Sequence, residues 1–358
     1  MTAGTLPLEI LNRIVQQLRP VDLPPLCRVN KMFQRVTERK LYNNLILGDV
    51  NLAYRVYMSL IAHDGMRGPY VKRLWFYIDP RRGVTRGHLA HQFWQMMQVA
   101  LSTMTELKDL LIHDPAGTAT WILDPDEMRF QLHTAKFRLQ WDDDMVAFLQ
   151  SQHQLKHLQT LDAHDITRVV PLPEGHLREL EAFEGPLLVA AEMLSCPSLS
   201  HLRVIVDEEV FQLLPQFVEN IVTSDPPLRS LHVNVIPDPV VEETLEALTV
   251  DPKCCARIQH LGVIMMPWIH RHVIHRHLTR LHNLQSIAFE VSHLDPAPIE
   301  GFQRAIALEM NMYCPSLRRV SFWFGHHQVV LWAYRQDTWT CAGVHPHASI
   351  EDQLWLSV

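Results

Sequence analysis

The chain has 358 residues, 47% hydrophobic and 20% charged, with 23 prolines and 13 glycines. At about 150 residues per domain this is enough for roughly two domains with sizeable cores, and it excludes disorder as a description of the whole. Lys+Arg 32 against Asp+Glu 39 leaves a formal net charge of −7, the wrong sign for a protein that binds by neutralising many phosphates, so no nucleic-acid partner is expected.

The cysteines Cys27, Cys196, Cys254, Cys255, Cys314 and Cys341 are scattered without a C-x-x-C pair, and they read as reduced thiols. The first residues, MTAGTLPLEILNRIVQQLRP, carry no basic leader followed by an apolar run, and no stretch approaches the roughly 18 consecutive apolar residues that cross a bilayer. The expectation is a cytoplasmic or nuclear protein with no membrane partner.

In chain order the first element is a helix from Pro7 to Leu18. Its apolar residues Leu8, Ile10, Leu11, Ile14, Val15 and Leu18 occupy an arc of about 160° at 100° per residue. Pro7 suits a first helical turn, and Asp22 is placed to cap a second short helix through Leu23, Leu26 and Val29. A third helical run, Lys31 to Asn43, carries Phe33, Val36, Leu41 and Tyr42 among basic residues. Three such short helices display more apolar side chains than they can hide from water, so either the rest of the chain or a partner covers them.

The stretch LPLEILNRIVQQLRPVDLPPLCRVNKMFQRVTERKLYNNLIL closely resembles an F-box: Leu6-Pro7, Glu9-Ile10, Ile14 and Leu18, then Asp22-Leu23, then Val29-Asn30-Lys31 followed by Phe33. Phe33 stands where that family often has Trp, and Pro24-Pro25 is unusual in its second helix. The resemblance implies docking on a Skp-type adaptor that bridges to a cullin scaffold in an SCF ubiquitin ligase. By matching positions, Leu6, Pro7, Ile10, Leu11, Ile14, Leu18, Leu23, Leu26, Val29 and Phe33 would form the adaptor interface or the core beneath it. Asn51 to Ile61, followed by GPYVKRLWF, resembles the helix that leads into the first repeat of fungal F-box proteins with degenerate leucine-rich repeats.

Beyond it an apolar-x-x-apolar-x-apolar pattern recurs, the strand signature of leucine-rich repeats. It runs from Val71-Leu74-Phe76 to Leu317-Val320-Phe322 and includes Leu158-Leu161-Ala163 and Leu177-Leu180-Ala182. Helix-like stretches lie between the copies: His88 to Met104, Asp144 to Gln150, Pro186 to Leu194, Glu208 to Val222, Val240 to Leu248, Trp268 to Leu281 and Pro298 to Met312. Alternating strand and helix predicts parallel strands with right-handed crossovers. A doubly wound sheet is the alternative, but no phosphate-cradling glycine motif follows any strand. The fold expected is therefore α/β: an N-terminal three-helix F-box at 1–47, a linker helix and irregular leucine-rich-repeat solenoid at 48–325 with strands concave and helices convex, and a C-terminal hairpin cap at 326–358.

Side chains alternate along a strand, so the residues between and after the inward pair point to the concave face. Those are Trp75, Tyr77, His113, Asp162, His164, Glu181, Phe183, Arg203, His232, Asn234, Glu290 and Trp323, a candidate surface for a target protein of unknown identity. No catalytic residue, metal or cofactor is assigned. The histidine-rich run His270, His272, His275, His277 and His282 divides between an apolar stripe and an Arg-bearing face and reads as a helix surface rather than a hydrolase metal centre. Asp142-Asp143-Asp144 reads as a helix cap. The reading is a non-enzymatic substrate-recognition subunit of an SCF-type ligase. The alternative is a repeat protein whose F-box serves an adaptor interaction without ubiquitination.

Overall fold

In the computed structural model, the described residues are 7–78, 89–114, 116–161, 169–267, 271–325, 327–346 and 354–358. Leu6, Asp162, His164, Trp268 and His270 lie outside them. The chain divides into two compact units, Met1–Leu155 with Gln159–Val170, and Lys156–Leu158 with Pro171–Val358.

The first unit begins with α1 (Leu8–Gln17), α2 (Leu23–Leu26) and α3 (Lys31–Asn43). Leu11, Val15, Leu23 and Val36 form their core, with Leu18, Leu26, Phe33 and Leu41 packed against it. Asn30 caps α3 by accepting the Phe33 N–H at 2.8 Å. At the other end of α1 the Lys40 ammonium donates to the carbonyls of Val15, Gln16 and Leu18 at 2.9, 2.9 and 2.7 Å, satisfying acceptors that a helix C-terminus leaves open. α2 is a single turn that stops before Val29, and the expected Asp22 cap is not made. The Asp22 carboxylate instead accepts from Arg19 Nε at 3.1 Å, and two prolines in four residues leave few amides to cap.

Next come β1 (Asn44–Leu47), α4 (Val50–Ile61), β2 (Arg73–Phe76), α5 (His91–Ser102), β3 (Asp109–His113), β4 (Thr134–Arg138), α6 (Asp143–Ser151) and β5 (His157–Thr160). Asn44 to Leu47 pairs with β2, so the last residues assigned to the F-box are the first strand of the sheet. β1 to β4 run parallel in chain order. Phe76 packs on Phe93 and Trp94 of α5, with ring centroids 5.1 and 5.8 Å apart, and Phe137 packs on Phe148 of α6 at 6.1 Å. Those contacts fix which sheet face the helices cover. Asp142 caps α6 through the Met145 N–H at 2.9 Å, as its position in the acidic triplet suggested.

The second unit holds β6 (Ala182–Pro186), α7 (Leu187–Met193), β7 (His201–Ile205), α8 (Leu214–Ser224), β8 (Ser230–Ile236), α9 (Asp238–Thr249), α10 (Pro252–Arg257), β9 (His260–Met265), α11 (His272–Leu278), β10 (Ser286–Glu290), α12 (Glu300–Tyr313) and β11 (Arg319–Phe324). Strands β6 to β11 are parallel neighbours in chain order. Neither unit reverses its strand order, so the switch point of a doubly wound sheet is absent among the described residues. The antiparallel pair β12 (Gln328–Arg335) and β13 (Thr338–Pro346) closes the array on β11. The expected helix from Glu208 starts only at Leu214, and α10 was not foreseen.

Two repeats are displaced by three residues from their predicted frames. Leu155, Leu158 and Thr160 are the buried set, whereas Leu161 is 38% exposed. Likewise Phe183 pairs with inward-facing Leu202 and is fully buried, so the true copy is Leu180, Phe183, Gly185. In both places apolar residues three apart satisfy the pattern in either frame. The predicted frames ended on Ala163 and Ala182, the observed ones on Thr160 and Gly185, and the more apolar ending was the misleading one.

Candidate functional site

On α1 the positions facing α2 and α3 are filled by Leu11 and Val15. The other apolar positions stand in solvent: Pro7 and Leu8 are exposed, Ile10 is 40% and Ile14 39% exposed. Val29 is 59% exposed, and Met32 at the start of α3 is exposed as well. Of the ten predicted adaptor residues, Leu11 and Leu23 are therefore core, since residues only 2% and 1% exposed offer a partner almost nothing to touch. Leu18, Leu26 and Phe33 are half-buried against that core. Pro7, Ile10, Ile14 and Val29 form the accessible part.

The sheet face opposite the helices differs between the units. In the first, Trp75, Tyr77 and His113 remain accessible. The Asp109 carboxylate organises the strand ends: it accepts from Trp75 Nε1 at 2.9 Å and from Arg73 Nε at 2.6 Å, and the Arg73 guanidinium lies 5.0 Å over the Trp75 ring. His113 Nε2 sits 2.8 Å from Arg138 Nη1. Burial, then that guanidinium, hold the imidazole below its ordinary range and thus uncharged at neutral pH.

In the second unit the corresponding face is buried, which the sequence reading did not anticipate. Arg203, His232, Glu290 and Trp323 are all covered, and Phe183 belongs to the opposite, helix-facing side. Glu184 takes the position predicted for Phe183 and accepts from Arg203 Nη1 at 2.7 Å, a desolvated pair held between neighbouring strands. Glu181 precedes the strand and pairs with Lys156 Nζ at 2.8 Å in partial exposure. Asn234 is a strand clamp, accepting from Val206 N–H at 2.9 Å and donating to Val206 O at 3.0 Å. Glu290 accepts the Ser292 N–H at 2.6 Å.

Between these, predicted His232 and Trp323 meet His260, which sequence reasoning missed. His232 Nδ1 and His260 Nε2 are 3.0 Å apart with stacked rings, and the Trp323 ring lies 5.7 Å from His232. Burial, then the charges of Arg319 and His201, push His260 down to about 3, so it is neutral in the fold. His260 is the first residue of β9 and sits in register with Ser230 and Ser286. An alternation count begun one residue earlier would have found it.

The histidine-rich run is spread over separate environments. His277 is buried with Nδ1 2.8 Å from Thr249 Oγ1, while His275 stacks on Tyr313 at 4.1 Å and lies 3.1 Å from Glu309. His272 and His282 are exposed. Among the described residues no three His, Cys, Asp or Glu side chains gather as a metal would require. No helix among them is long and apolar enough to cross a membrane. The sequence matches no protein-family model and no curated protein.

Proposed function

We propose that the chain is a substrate-recognition subunit of an SCF-type cullin-RING ubiquitin ligase. In this reading α1 to α3 are an F-box held by a Skp-type adaptor, the strands and helices beyond are an irregular leucine-rich-repeat array that holds a target protein, and β12 and β13 cap it. The chain supplies proximity rather than chemistry, and no cofactor enters. The observation that carries the reading is the row Pro7, Leu8, Ile10 and Ile14, large apolar side chains left in solvent over a core that Leu11, Val15, Leu23 and Val36 complete without them. Such a row is costly to leave in water unless a partner covers it.

The test is co-expression with a Skp-type adaptor and sizing of the product, beside a variant carrying Ile10→Asp and Ile14→Asp. The expected result is a one-to-one complex that the variant loses while its unfolding midpoint stays that of the parent, because a carboxylate in an apolar interface is costly whereas one in solvent is not. An intact chain that elutes apart from the adaptor overturns the reading. A complex that binds adaptor but recruits no cullin moves it to the non-ubiquitinating alternative.

A further inference from the structure

Residues Leu354–Val358 of the chain itself lie against part of the buried sheet face of the second unit. Leu354 completes an apolar cluster with Val263, Ala288, Trp323 and Val329. Trp355 presents its ring edge-on to His201 at 6.4 Å. Arg319 Nη1 donates to Ser357 Oγ at 2.8 Å, and the main-chain oxygen of Val358 is 3.1 Å from His201 Nε2. These contacts give each part of a short peptide its own receiver: a pocket for an aliphatic side chain, a ring for an aromatic one, a cation beside the residue two further on, and an imidazole on the backbone.

The fit is incomplete in two respects. The indole N–H of Trp355 is buried with no hydrogen-bond partner, which weakens the seating of the segment relative to a ligand that leaves no donor unpaired. The Arg319 guanidinium meets a neutral hydroxyl at Ser357, where a carboxylate would make a stronger, charge-assisted bond.

We propose that this face is a peptide-binding groove that the protein keeps occupied with Leu354–Val358, and that it accepts an extended peptide carrying an aliphatic–aromatic pair followed, two residues after the aromatic, by an acidic residue. Such a peptide displaces the segment. The inference rests on the reading of the sheet as the target-recognition surface and adds to it both the class of target and a built-in competitor.

The test uses the full chain, a double variant Leu354→Ser with Trp355→Ala, and two labelled peptides, one with the sequence of residues 354–358 and one carrying Ser357→Asp, with binding read by fluorescence anisotropy. The acidic peptide is expected to bind the double variant at least about tenfold more tightly than the intact chain, because a ligand pays for opening an occupied site in proportion to how rarely it is open. It is also expected to bind more tightly than the serine peptide, a preference that Arg319→Gln added to the double variant erases. If neither peptide binds a double variant that still unfolds cooperatively, or if both bind intact and variant chains alike, the proposal is overturned. Should the double variant fail to fold, Trp355→Ala alone, which leaves Leu354 in its pocket, carries the test. If that too fails to fold, the segment is core and the proposal falls. No adaptor enters the assay, so a failed adaptor complex leaves the result standing. A target fragment that binds the chain without competition from the peptide would instead count against the sheet-face reading itself.

Discussion

His260 shows how a single side chain couples this fold to pH. Its ordinary value is 6.5 and burial lowers it to about 3, so between those values the unfolded chain binds a proton that the folded chain refuses. Stability is therefore complete above about pH 6.5 and is lost as pH falls through that window, by up to about 1.4 kcal/mol per pH unit for each such histidine. His201 and His277 are lowered in the same direction, with burial the leading cause. Urea unfolding at a series of pH values from 7.5 to 5 should show this decline, and His260→Gln should flatten its slope. Gly68 makes a packing argument of the same kind: a Cβ placed there would stand 2.3 Å from the Thr103 carbonyl oxygen. Because that neighbour is backbone and cannot swing aside, Gly68→Ala should cost about 1–3 kcal/mol in urea unfolding.

At the scale of elements, α1 separates stability from interaction by one residue. Leu11→Ala removes a core side chain and should cost about 2–5 kcal/mol in thermal or urea unfolding, whereas Ile10→Ala, at an exposed position, should change stability by less than about 0.5 kcal/mol. The β12–β13 hairpin turns on Gln336 and Asp337, both in left-handed backbone at φ 49° and 59°. That geometry suits the twist of antiparallel strands but favours Asn-Gly over Gln-Asp. Gln336→Asn with Asp337→Gly should therefore raise the melting temperature. The hairpin, α3 and α6 were legible because their signals are local, a short apolar-periodic run in α3 and the Asp142 cap of α6 among them; Asn30 and Asp49 cap α3 and α4 in the same way, a signal the sequence reading did not use. The displaced repeats around Leu158 and Phe183 were not legible, because choosing between frames three residues apart requires knowing which neighbouring strand each one meets.

Over the whole molecule, histidine makes charge and folding interdependent, for the 22 imidazoles are the groups that titrate just below neutrality. Burial lowers His113, His201, His260, His275 and His277, so these take up protons less readily in the fold than in the unfolded chain. The native protein should accordingly focus at a lower pH than the same chain in urea, and equal isoelectric points would contradict the burial assigned to them. Sequence alone determined the alternation of strand and helix, the three leading helices and the closing hairpin, because periodicity, caps and turn chemistry act over a few residues. Only the tertiary structure decided which of two equally patterned frames each ambiguous strand adopts and which apolar residues of α1 are core. It alone brought Leu354–Val358 onto β7 and β11 through His201 and Arg319, since contacts 157 and 38 residues apart in the chain depend on the packing of the whole and leave no mark on local pattern.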